Sequence, residues 1–316
     1  MAKAIKTVST VVSKVEDLGN DTKRFTLVDQ DDWELPPFRA GAHIDVHLEQ
    51  GLVRTYSLCN EPDDDRRYVI AVKREREGRG GSNFLHDRVE AGQPISVSLP
   101  RGGIALDQEG TNVFLAGGIG VTPFISAIRH LERRGRSNYV LHWTSRGRPV
   151  LTDMIAPAIG AGRVRLYDTT AQAKPVIAEI VGEFARCGLA ACCGPAAMLK
   201  AFEDAVSAWP EERKHIEMFT PPKAIVRSDV PPYELYLSVS QKLATVTPDV
   251  GLLGTLDALG VDVPVSCGGG ICGACRTRWT EGPPIHRDRV LSPAERQNEL
   301  IVCVGDCAGS RLVLDL

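Results

Sequence analysis

Ser266-Cys267-Gly268-Gly269-Gly270-Ile271-Cys272-Gly273-Ala274-Cys275, followed after residues 276–302 by Cys303, places four cysteines in the spacing C-x4-C-x2-C…C. Plant-type ferredoxins hold a 2Fe–2S cluster with this spacing, so the stretch predicts an iron–sulfur domain at this end of the chain. Glycine and alanine fill almost every position between the cysteines. Three thiolates of one short loop converge on an iron pair only if the backbone folds tightly, often at positive φ, and small residues leave N–H groups free to point at sulfur. A structural zinc site would ordinarily show two C-x2-C knuckles, and only one is present here. A Rieske centre needs two histidines, and His286 is the only histidine after Cys267. The ligands are therefore expected to be Cys267, Cys272, Cys275 and Cys303, with Cys307 close enough in sequence to compete for the last place.

Outward from this loop, the 316 residues suit two or three domains, each with its own core. Hydrophobic residues make up 43%, charged residues 24%, and the net charge is −3, so nothing favours nucleic acid or an anionic membrane as partner. The first residues, Met1-Ala-Lys-Ala-Ile-Lys-Thr, lack a secretory pattern, and no apolar run reaches the ~18 residues of a membrane span. A cytoplasmic protein is expected. Besides the ligand set, Cys59, Cys187, Cys192, Cys193 and Cys307 show no disulfide framework, which fits a reducing compartment.

Residues 7–15, 23–28, 43–48, 54–59, 68–73 and 95–99 alternate as short strands between turn residues and predict a small antiparallel β-barrel. From Asn112 strands alternate with helices: strands at 113–116, 139–143, 164–167, 189–192 and 215–219, helices at 123–134, 176–186 and 196–207. That alternation predicts an α/β doubly wound parallel sheet. Two Pro-Pro pairs, at 221–222 and 231–232, bound an extended linker. Beyond it come a hairpin after Tyr233, a helix near 251–259, the cysteine loop and a last strand at 311–316. The domains expected are 1–105, 106–224 and 225–316.

Two further constellations carry chemistry. Arg54-Thr55-Tyr56-Ser57-Leu58 lies on a strand, and Gly78-Arg79-Gly80-Gly81-Ser82 opens a helix shortly after the strand Ile70-Ala71-Val72-Lys73. An arginine on a rigid strand facing a glycine-rich helix start, with Ser82 as N-cap, makes a phosphate cradle. Ser57 could then donate to a flavin ring nitrogen, with Tyr56 along the ring or the ribityl chain. In Val113-Phe-Leu-Ala-Gly117-Gly118-Ile-Gly120-Val-Thr122-Pro123, a buried strand enters a glycine turn and a helix, the arrangement that admits a pyrophosphate. Cys193-Gly194-Pro195 at the end of a later strand adds a polarizable thiol where a nicotinamide could stack.

These five motifs, in this order over essentially the whole chain, resemble the phthalate dioxygenase reductase family, which includes the vanillate demethylase reductases. The resemblance implies an antiparallel β-barrel flavin domain, a doubly wound nicotinamide domain and a plant-type ferredoxin domain of β-grasp fold. It implies FMN rather than FAD because the cluster domain comes last. Carried over, Arg54, Thr55, Tyr56 and Ser57 would contact FMN, with Ala71, Val72 and Lys73 along the ring edge. Gly80, Gly81, Ser82 and Asn83 would hold its phosphate, Thr122 would reach the flavin and Phe219 would lie against it. Gly117, Gly118, Gly120, Cys193 and Gly194 would receive NADH, with Cys193 and Glu217 orienting the nicotinamide and Ser57 stabilising reduced flavin.

The implied activity is hydride transfer from NADH, two electrons at once, followed by single-electron exit through the cluster. The expected acceptor is the oxygenase component of a two-component Rieske non-haem iron aromatic-ring dioxygenase or demethylase. A haem-thiolate monooxygenase as acceptor and a flavin/iron–sulfur redox sensor are the alternatives. Arg146 and Arg148 after the strand 139–143 could bind a 2′-phosphate, and no acidic residue is apparent beside them, so NADH is expected from the resemblance alone. Residues 233–316 hold ten Asp/Glu against seven Lys/Arg, a slight acidic excess that could complement a basic docking patch.

Overall fold

In the computed structural model the described residues are 7–49, 52–184, 188–219 and 230–316. They form two compact units, 1–219 and 220–316. The first begins with strands β1 (Thr7–Asp17), β2 (Thr22–Asp29), β3 (Ala42–His47), β4 (Val53–Ser57) and β5 (Tyr68–Lys73), then helix α1 (Gly81–Arg88), β6 (Pro94–Ser98) and β7 (Arg101–Gly102). Hydrogen bonding runs β4-β3-β6-β1-β2-β5, with β7 on β3. A bridge between Leu58 and Ile70 joins the two ends of that path, which closes the sheet into the predicted barrel. Inward positions supply its core: Val12, Phe25, Ile44, Val46, Leu58, Tyr68 and Val97 are all sealed from solvent.

The chain then enters β8 (Asn112–Gly117), α2 (Thr122–Arg133), β9 (Tyr139–Ser145), α3 (Ala156–Gly160), β10 (Val164–Asp168), α4 (Ile177–Glu183), β11 (Leu189–Cys193), α5 (Ala196–Ala205) and β12 (Lys214–Glu217). All strand pairs are parallel, in the order β10-β9-β8-β11-β12. β8 is buried at every position, as expected of a central strand covered on both faces. Pro123 in the first turn of α2 pre-sets its backbone, and Phe124, Ile125, Ile128 and Leu131 turn one face to the sheet. The short α3 was not predicted, because Pro157 and the neighbouring glycines hide a helix of five residues. Helix α4 is shorter than the predicted 176–186, and residues 185–187, including Cys187, lie outside the described ones.

Ion pairs join barrel and parallel sheet within this unit. Arg24 on β2 contacts Asp153 at 2.6 Å and Glu16 at 2.9 Å, and Arg134 after α2 contacts Asp63 at 3.3 Å.

The second unit holds β13 (Tyr233–Leu237), β14 (Lys242–Val246), α6 (Gly251–Ala258), β15 (Arg276–Glu281), β16 (Pro284–Ile285), β17 (Glu299–Ile301), β18 (Asp306–Cys307) and β19 (Arg311–Leu314). Its mixed sheet runs β14-β13-β19-β15-β17, with β13 and β19 parallel and β16-β18 a separate pair. Leu252 and Leu256 of α6 are fully buried with Leu235, Leu237, Leu312 and Leu314 of the sheet, the grasp of one helix by a mixed sheet that the resemblance implied. Most of the expected linker, 220–229, lies outside the described residues, whereas Val230 is buried in this core.

Candidate functional site

In the second unit the cysteine loop joins α6 to β15. Gly268, Gly270 and Gly273 have φ of 65°, 72° and 72°, the left-handed region that glycine enters without strain. The resulting coil buries Cys267, Cys272 and Cys275, and Cys303 arrives from the turn after β17 equally buried. Gly269 N and Ile271 N donate to Cys267 Sγ at 3.3 and 3.5 Å, the backbone-to-sulfur bonds anticipated from the small residues. Cys272 is raised by its hydrogen bond with Cys267. For Cys303 the bond with Cys267 acts downward, while that with Cys275 and burial act upward, leaving its thiol at about 12. Four buried thiols linked in sequence, Cys272 to Cys267, Cys267 to Cys303 and Cys303 to Cys275, with amide donors already aimed at Cys267, fit a 2Fe–2S cluster, whose binding would displace the thiol protons. Cys307 is elsewhere: its thiol donates to Arg311 O at 3.2 Å and accepts from Gly309 N at 3.3 Å. The structure brings Cys303, not Cys307, to the loop.

The first unit forms a cradle between β4 and α1. A Cβ on Gly81 would stand 2.3 Å from Arg54 Cγ, so the arginine lies directly across the helix start. Arg54 Nη2 donates to Arg79 O and Nη1 to Val53 O at 2.8 Å. Burial and then the neighbouring Arg79 cation hold Arg54 below its ordinary pKa. The Arg54 guanidinium, bonded to the main chain of Arg79 and influenced by its charge, stands at a helix N-terminus that has no acidic residue in its first turn and no side-chain cap. Such a place favours a dianion. Ser82 is not the N-cap: Gly80, at φ 83°, takes that position, and Ser82 Oγ accepts from Glu75 N at 3.0 Å. Asn83 Nδ2 donates to Arg76 O, and its buried Oδ1 has no partner.

Other expected flavin contacts have structural partners of their own. Thr55 Oγ1 bonds Asp45 Oδ1 at 2.7 Å, and Asp45 pairs with Arg101 at 2.6 Å. Thr122 Oγ1 donates to Ile119 O at 3.1 Å. Burial pushes the Tyr56 phenol up, so it stays neutral. Ser57, Ala71 and Val72 are buried on adjoining barrel strands, Lys73 is exposed, and Phe219 is 42% exposed just after β12.

At the C-terminal edge of the parallel sheet, the turn after β8 packs on the turn after β11. A Cβ on Gly120 would lie 2.3 Å from Cys193 O, and one on Gly117 2.5 Å from Pro195 Cδ. These two glycines are thus demanded by turn-on-turn packing, a reason different from the one the sequence suggested. Gly118, at φ 57° with open space before it, is the position left for a ligand to approach. Trp143 Nε1 donates to Gly118 O at 2.9 Å and pins the turn. Gly194 packs on Met198 Sδ.

Cys193 is 1% exposed and stands beside Glu217 in the β11–β12 register. Burial, then the Glu217 charge, raise its thiol well above the usual value, so Cys193 is a neutral, polarizable group here. Burial alone would raise Glu217, but His215 Nε2 at 3.1 Å and the His43 imidazole of β3 bring its carboxyl below the ordinary range. The sequence did not single out His43 or His215. His215 lies in the quoted strand two residues from Glu217, a spacing that puts both side chains on one face. Nothing local marks His43.

One expectation needs correction. An acidic residue does stand beside Arg146 and Arg148: Asp168, at the end of β10, accepts from Gly147 N at 2.9 Å and from Thr170. The parallel pairing of β10 with β9 brings it to Gly147 from twenty-one residues away.

Comparison with known proteins agrees with this geometry. Residues 9–105 match the oxidoreductase FAD-binding domain and residues 238–305 the 2Fe-2S iron-sulfur cluster binding domain. The phthalate dioxygenase reductase of Burkholderia cepacia is 34% identical over 96% of both chains. A solved phthalate dioxygenase reductase, described as a modular structure for electron transfer from pyridine nucleotides to 2Fe–2S, superposes with TM-score 0.70 at 32% identity, covering 98% of each chain. An intact type IV self-sufficient cytochrome P450 monooxygenase superposes with TM-score 0.89 at 31% identity, and this chain spans 41% of its length. Near-complete coverage by a reductase with the same barrel, parallel sheet and cluster loop leaves one conclusion: the chain belongs to the phthalate dioxygenase reductase family.

Proposed function

We propose that this protein is the reductase component of a two-component oxygenase, drawing hydride from NADH through FMN and a 2Fe–2S cluster to a Rieske non-haem iron partner. The observation that carries the proposal is the pairing, in one chain, of the Arg54/Arg79 anion cradle with the four-thiol loop. When bound, flavin supplies the conversion of a two-electron hydride into single electrons that a cluster can carry.

The chain's own residues bind, orient and shield. Arg54, Arg79 and the amides opening α1 suit the dianion of a terminal phosphate monoester, which is why we assign FMN although the matched domain is named for FAD. Gly118 lets the nucleotide approach the backbone, and Cys193 with Glu217 orients the nicotinamide, Glu217 being kept ionised by His215. The Asp168 carboxylate beside Gly147 would accept from a ribose diol and repel a 2′-phosphate, which supports NADH despite Arg146 and Arg148. Cys267, Cys272, Cys275 and Cys303 would hold the cluster.

Purified holoprotein should reduce cytochrome c with NADH, and Cys303→Ser should abolish that while sparing reduction of ferricyanide by the flavin. Failure of the unaltered protein to reduce cytochrome c would sink the proposal. Asp168→Asn should shift the NADH/NADPH ratio of kcat/KM toward NADPH, by about ten-fold. The superposition on a P450 monooxygenase favours a second acceptor, a haem-thiolate centre. Offering both acceptors to the reduced protein and comparing rates decides between them.

A further inference from the structure

The segment from His286 to Leu291 braces the cysteine loop from behind. Asp288 Cα lies 3.1 Å from where a Cβ of Gly270 would stand, Val290 Cγ1 lies 3.1 Å from the corresponding point at Gly273, and Arg289 N donates to Gly270 O at 3.0 Å. The Asp288 side chain is completely enclosed. Its Oδ2 accepts from Val290 N at 3.1 Å and Leu291 N at 2.8 Å, and Arg296 Nη2 stands 3.6 Å away while donating to Asp288 O at 2.8 Å. Its Oδ1 has no hydrogen-bond partner. His286 Nδ1, also buried, stands 3.6 Å from it, beyond hydrogen-bond distance, and burial holds that imidazole below its usual pKa.

A buried carboxylate with one unsatisfied oxygen is costly, and such groups persist where they perform a task. Here the charge is set against the loop that presents three of the four thiols. We propose that Asp288 is a positioning residue of the iron–sulfur site, whose enclosed charge braces the loop and holds down the reduction potential of the cluster it carries. Reduction adds one electron to the cluster. A fixed negative charge behind the loop disfavours that electron, whereas the Arg296 guanidinium, 3.6 Å from Asp288 Oδ2, favours it. The proposal rests on the cluster assignment made above.

Asp288→Asn keeps the shape and an acceptor for Val290 N and Leu291 N but removes the charge. Arg296→Gln removes the opposing one. Redox titration of the full-length holoprotein, followed by the EPR signal of the reduced cluster, reads both. We expect Asp288→Asn to shift the reduction equilibrium about ten-fold toward the reduced form, about 59 mV upward for one electron, and Arg296→Gln to shift it the other way. A bracing role without an electrostatic one would not produce opposite signs. If unaltered protein shows iron and the EPR signal but the reduction equilibrium of either loaded variant stays within two-fold of its own, or the two move in the same direction, the proposal is overturned. If Asp288→Asn retains no cluster, Arg296→Gln decides alone: a lowered potential supports the proposal, and any other result overturns it. Absence of iron from the unaltered protein would instead refute the cluster assignment.

Discussion

Gly118 and Gly120 sit in one turn and face opposite constraints. At Gly120 a methyl group would meet a backbone carbonyl that cannot yield, at 2.3 Å, whereas at Gly118 it would meet nothing and pay only for its left-handed backbone. Gly120→Ala should therefore destabilise the first unit by about 1–3 kcal/mol, the cost of overpacking. Gly118→Ala should cost roughly 1 kcal/mol and act mainly on nucleotide affinity. Urea midpoints and NADH titrations of the two variants separate the effects. The thiols are resolved in the same way. Cys303→Ser should lose the cluster's iron and visible absorption, and Cys307→Ser should keep both, since Cys307 faces Arg311 O. The cysteine spacing was legible because three ligands and their glycines are neighbours in sequence. Asp168, His43 and Asp288 were not, because strand pairing brings Asp168 to Gly147, and packing brings His43 to Glu217 and Asp288 to Gly270.

At the scale of elements, the seam between barrel and parallel sheet depends on Arg24, which bridges Glu16 and Asp153. The hydrogen bond from Arg24, then that from Lys14, brings Glu16 to about 2 from an ordinary 4.5. A folded pKa below the unfolded one means that the stabilisation is complete above 4.5 and is lost as pH falls from 4.5 to about 2. Glu16→Gln should cost about 1 kcal/mol at neutral pH, and the gap to the unaltered protein should close over that acid range. Denaturant melts at several pH values test this, and a gap that persists below the acid range would contradict the pairing. Long strands such as β1 and β8 were readable from alternation or continuous burial. The pairs β16 and β18, two residues each, carry no period and exist only because their neighbours hold them.

For the molecule as a whole, the division into two units implies separable stabilities. FMN at about 100 times its Kd should stabilise the first unit by roughly 2.7 kcal/mol and leave the second unmoved. Iron chelation should lower the second transition alone, because ligand binding there is folding energy. Scanning calorimetry shows both, and a single transition that moves as one with either ligand would argue against two units. The three fold types were legible because each has its own texture, whereas barrel and parallel sheet together form one compact unit, 1–219.

Trp143 extends these tests. Its indole is 2% exposed and bonded through Nε1 to Gly118 O, the carbonyl of the residue left open for the nucleotide. The three other tryptophans lie at positions 33, 209 and 279, none of them in the glycine turn. Trp143 is thus an intrinsic optical probe of the proposed nucleotide site: emission from this one indole should shift as NADH analogues load, and Trp143→Phe should silence that response. A stopped-flow trace of its fluorescence would time nucleotide arrival without any label.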